Sequence, residues 1–70
     1  MDEQAELAEA VARAVRDACF QLAASRYEDA SASGLCHEGA LEVALDAIRS
    51  LDVAAIVEAV SRARQGDARP

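Results

Sequence analysis

Apolar side chains recur at Leu7, Val11, Ala14/Val15, Ala18 and Leu22, three or four positions apart. That spacing keeps one face of an α-helix apolar. It predicts a long first helix over about residues 2–32. Asp2, Glu3, Glu6 and Glu9 crowd its opening turns, where the helix dipole favours negative charge. The stripe fades after Tyr27. Ser31 and Ser33 weaken the helix there, and Gly34 is suited to a left-handed C-terminal stop.

A second helix is expected over about residues 36–49. Leu41, Ala44, Leu45 and Ile48 make the apolar stripe expected to face inward, flanked by Val43 and Ala47. Glu38, Glu42, Asp46 and Arg49 make the wet face. Ser50-Leu51-Asp52 reads as a break and restart. Asp52 is a good N-cap, and Leu51 with Ile56 matches a hydrophobic staple around it. A third helix follows over about residues 53–64, with a stripe of Val53, Ile56, Val57, Val60 and Ala63. Arg62 and Arg64 suit its last turn, Gly66 is positioned to stop it, and residues 65–70 read as a frayed tail.

The pattern therefore predicts one small all-α domain over residues 1–70: a long N-terminal helix followed by two shorter helices. At 1.5 Å per residue the first helix spans roughly 40–45 Å, the second roughly 20 Å and the third roughly 18 Å. Helices two and three can line the first in succession. Two such layers facing each other close into a dimeric helical bundle. The competing arrangement is a monomeric three-helix bundle with the third helix folded back over the other two.

Composition favours the dimer. Hydrophobic residues make up 53% of the chain, but many are alanine, and the chain has no Trp, one Phe and one Tyr. An alanine-rich core removes little apolar area from water, and a chain of 70 residues has little surface to bury. Pairing with a second copy is a common remedy. Phe20 and Tyr27 lie two turns apart on a line nearly opposite the main stripe. They are candidate partner contacts, because interface cores are enriched in aromatics. Arg13 and Arg16 share Phe20's side of the helix and complete the set of partner-binding candidates.

The net charge is −6, which opposes binding to nucleic acid or anionic lipid. All basic residues are arginine, which we read as a composition bias. No apolar run reaches the roughly 20 residues needed to span a bilayer. The N-terminus lacks the basic and apolar regions of a signal peptide. A cytoplasmic protein with reduced thiols is the expectation.

Candidate chemistry gathers at the start of the second helix, in Cys36-His37-Glu38. A helix N-terminus offers free N–H groups and a partial positive charge that can acidify a thiol. Neighbouring residues on a helix diverge by about 100°, however, so these three side chains cannot grip one ion within a regular helix. One His and two Cys without C-x-x-C spacing make no zinc signature. Cys36, His37 and Glu42 remain the candidates for a metal- or ligand-responsive sensor completed by a second subunit. A Cys–His nucleophile would need an orienting third group and a cleft, so no enzyme and no cofactor are expected. The plainer expectation is that His37 is partly buried and donates to a carbonyl at the end of the first helix. Cys36 then serves as an unusual N-cap or core filler, and Cys19 is a small core residue too far from the turn for an intrachain disulfide. The function expected is that of a small, acidic, helical interaction module: a homodimeric accessory, regulatory or assembly factor for a larger protein.

Overall fold

Local chemistry sets the ends of each helix. The Asp2 carboxylate accepts a hydrogen bond from the Gln4 N–H at 3.0 Å, which satisfies a donor that the first helical turn leaves open. The computed structural model describes residues 2–66. It is all-α, with α1 over Glu3–Ala32, α2 over His37–Arg49 and α3 over Val53–Gly66.

At the end of α1, the Gly34 N–H donates to the Ser31 carbonyl and the Leu35 N–H to the Ala30 carbonyl. These two bonds form a Schellman motif, which requires a left-handed residue after the C-cap. Gly34 supplies it with φ at 102°. The Ser33 hydroxyl adds a bond to the Asp29 carbonyl at 2.9 Å. α2 ends where the Ser50 N–H reaches the Asp46 and Ala47 carbonyls. α3 is capped by Asp52, whose carboxylate accepts from the Ala55 N–H at 3.0 Å. It runs on through Gly66, two residues beyond the expected end at 64. Of the expected tail, residues 67–70 lie outside the described residues.

The Asp52 cap has a measurable consequence. Asp52→Ala removes the acceptor for the Ala55 N–H and should cost about 1 kcal/mol. A lower urea midpoint at unchanged slope is the expected readout, with Asp52→Ser close to wild type.

The chain packs as two units. One joins the first half of α1, through Arg16, with α3. Here Leu7, Val11, Ala14 and Val15 of α1 and Ile56 and Val60 of α3 are half-buried. The expected α3 stripe is corrected in part, since Val53, Val57 and Ala63 stay exposed. Within this unit the α1 half-helix covers only a narrow strip of α3. Arg64 of α3 reaches Glu6 of α1 at 3.5 Å, an exposed pair of small energetic value.

The other unit, Asp17–Leu51, joins the second half of α1 with α2. Its interior is alanine: Ala40 is 0% exposed, Ala44 5% and Ala30 8%. Val43, Ala47, Cys19, Leu22 and Ala23 are half-buried around them. The expected inward stripe of α2 is therefore wrong in its larger members. Leu41, Leu45 and Ile48 face outward, and of that stripe only Ala44 is buried. The inward face is Ala40, Val43, Ala44 and Ala47. The reason is steric. The short connection through Gly34, Leu35 and Cys36 holds α2 close to α1, and at close approach an alanine face fits where a leucine face does not.

Candidate functional site

The connection that sets this packing also carries the chain's only histidine. Cys36 occupies the N-cap position of α2 in an extended conformation, with φ −71° and ψ 170°. Its thiol makes no capping hydrogen bond and is exposed and free. His37, the first residue of α2, turns back across the hairpin. The Tyr27 hydroxyl lies 2.6 Å from His37 Nδ1. With the imidazole neutral and Nε2 protonated, the hydroxyl donates to Nδ1. The two rings meet edge to face, with centroids 5.7 Å apart and planes at 71°. This is a favoured aromatic geometry, and it ties the last turns of α1 to the first turn of α2.

This geometry changes the expected roles. His37 is exposed rather than partly buried, and it pins the turn through a side chain, not a carbonyl. Tyr27 is half-buried and already engaged, whereas Phe20 is 75% exposed. The two rings share a line on α1, but only Tyr27 meets a side chain of α2, the His37 ring. Sequence reasoning missed the Tyr27–His37 bond because its partners are ten positions apart and on different helices.

The proposed sensor residues do not converge. Glu42 is exposed on α2, about 140° around the helix from His37 at 100° per residue. Cys36 points to solvent, and Tyr27 occupies one imidazole nitrogen. Among the described residues, no three His, Cys, Asp or Glu side chains gather as a metal ion would require. Cys19 is a half-buried free thiol. Arg13 pairs with Glu9 on its own helix at 3.4 Å, and Arg16 is exposed.

What the fold leaves available is an apolar face. Leu41, Leu45 and Ile48 recur at helical spacing along α2, and Leu45 is 54% exposed. A recess of about 390 Å³ in the α1–α3 unit is lined by Glu3, Gln4, Leu7, Ser61, Arg64 and Gln65. Its arginine is already paired with Glu6. No described helix is long and apolar enough to cross a membrane. No protein-family model, curated protein or solved structure matches this chain.

Proposed function

We propose that this chain is a small cytoplasmic interaction module. In this reading it pairs with itself and serves as an accessory, regulatory or assembly factor for a larger protein. It acts by helix-face contact rather than by catalysis. One observation carries the reading: alanine fills the interior of the Asp17–Leu51 unit, while Phe20, Leu41 and Leu45 are turned to water. Burying a leucine is worth about 2 kcal/mol. A sequence that spends its large aliphatic groups on the outside gains that energy only through a partner. Scattered exposed hydrophobics are ordinary, but Leu41, Leu45 and Ile48 stand in register along α2 and form a continuous strip.

Acidity supports the same reading. A net charge of −6 disfavours polyanionic partners and leaves protein surfaces as the natural target. The Cys36, His37 and Glu42 sensor reading has no observation in its favour.

The test is molecular mass in solution by multi-angle light scattering over a wide concentration range. A mass rising toward twice that of one chain is expected. A monomer at every concentration would remove the self-pairing part of the reading.

A further inference from the structure

We propose that the self-pairing surface is α2 itself, laid antiparallel against α2 of a second copy, with Arg49 of each copy set between Glu38 and Glu42 of the other. This rests on the self-association reading above and makes it specific. The apolar seam is Leu41, Leu45 and Ile48, all exposed. At 100° per residue these three fall within about 60° of one another around the helix. On one side the seam is bounded by His37, exposed and about 40° from Leu41, and then by Ala44, which is buried within the chain's own packing. On the other side lie Glu38, Arg49 and Glu42, at about 60°, 80° and 100° from Leu41.

The placement of these charges selects the orientation. Turning one helix end over end about an axis through Leu45 brings each flank against the same flank of the other copy. Parallel pairing would bring opposite flanks together. In the antiparallel pair Leu41 meets Ile48 of the second copy, and Leu45 meets its own equivalent. Arg49 then falls opposite the position between Glu38 and Glu42, within about 3 Å along the axis. The symmetry repeats the contact, as a two-fold interface requires.

The charges also need such a partner. Glu38, Glu42 and Asp46 stand four residues apart on α2, and like charges at that spacing destabilise a helix. Among the described residues, no ion pair of the chain's own engages Glu38, Glu42 or Arg49. A second copy offers each acidic pair a cation and lays opposed helix dipoles side by side.

Sedimentation equilibrium on charge variants tests the proposal. Arg49→Glu should weaken dimerisation at least about tenfold. Glu38→Arg with Glu42→Arg should weaken it as well, although it removes most of the chain's net negative charge and would tighten association if net repulsion were the control. The triple variant combining all three changes should recover wild-type affinity to within about threefold. Leu45→Asp should abolish the dimer while leaving the far-UV circular dichroism of the monomer intact. A wild-type monomer at all concentrations overturns this proposal and self-association together. A wild-type dimer indifferent to Arg49→Glu and Leu45→Asp overturns the α2 seam and leaves self-association standing. Failure of the triple variant to recover overturns the antiparallel orientation.

Discussion

Ala40→Leu is expected to destabilise the protein by about 3 kcal/mol, the upper end of the usual cost of overpacking. Ala40 is 0% exposed, on the inward face of α2. A leucine there must push the helices apart or adopt an unfavourable rotamer. Stability of a chain this size is of the order of 5 kcal/mol, so the substitution should leave about 2 kcal/mol, an unfolded fraction of about 3% at ambient temperature and a much lower urea midpoint. Leu41→Ala, one position away, is the contrast. Leu41 is exposed, and its truncation should cost less than about 1 kcal/mol in the monomer. Urea unfolding at low protein concentration, where dimer does not contribute, reads both. If Ala40→Leu were as stable as wild type, the inward face assigned to α2 would be wrong.

The second large effect is expected at Gly34. Its φ of 102° lies in a region that side chains with a Cβ rarely adopt. A Cβ built there meets nothing within 4 Å, so the cost of substitution is backbone strain and not collision. Gly34→Ala should lose about 2 kcal/mol, and Gly34→Val more. Gly34→Asn should lose less, because asparagine tolerates left-handed geometry. Gly39 has the opposite sign. It is helical, and a Cβ there would stand at ordinary contact distance, 3.5 Å, from Leu35 Cδ2. Gly39→Ala should therefore stabilise the protein by about 0.5–1 kcal/mol. Thermal or urea melts of the four variants check the ordering. A Gly34→Ala protein as stable as wild type would mean that the Schellman turn is not needed to join α1 to α2.

These two sites mark what the amino-acid order reveals and what it conceals. Helix number, the Gly34 stop and the Asp52 cap were legible because each depends on a few adjacent residues. The inward face of α2 was not. Hydropathy ranks leucine and isoleucine above alanine, and so points Leu41, Leu45 and Ile48 at the core. Interhelical distance decides otherwise, and it is a property of two segments and the turn between them. A signal was present in Ala30, Ala40, Ala44 and Ala47, small residues at positions able to form a close-packed seam. It reads as composition until the turn is known to be short. His37 illustrates the same divide. Its place at the start of α2 was readable, but its bond to Tyr27 exists only once the hairpin has closed.

Tyr27 is the sole tyrosine, and the chain has no tryptophan. Its ring is held against His37 within the Asp17–Leu51 unit. Tyrosine emission from this protein therefore comes from the hairpin joint alone, whereas far-ultraviolet ellipticity sums over all three helices. A single melt followed by both signals separates the two packing units without any added label. Coincident curves mean that the α1–α3 unit and the hairpin unfold in one cooperative step. Displaced curves mean that the long helix is shared by two halves that melt separately.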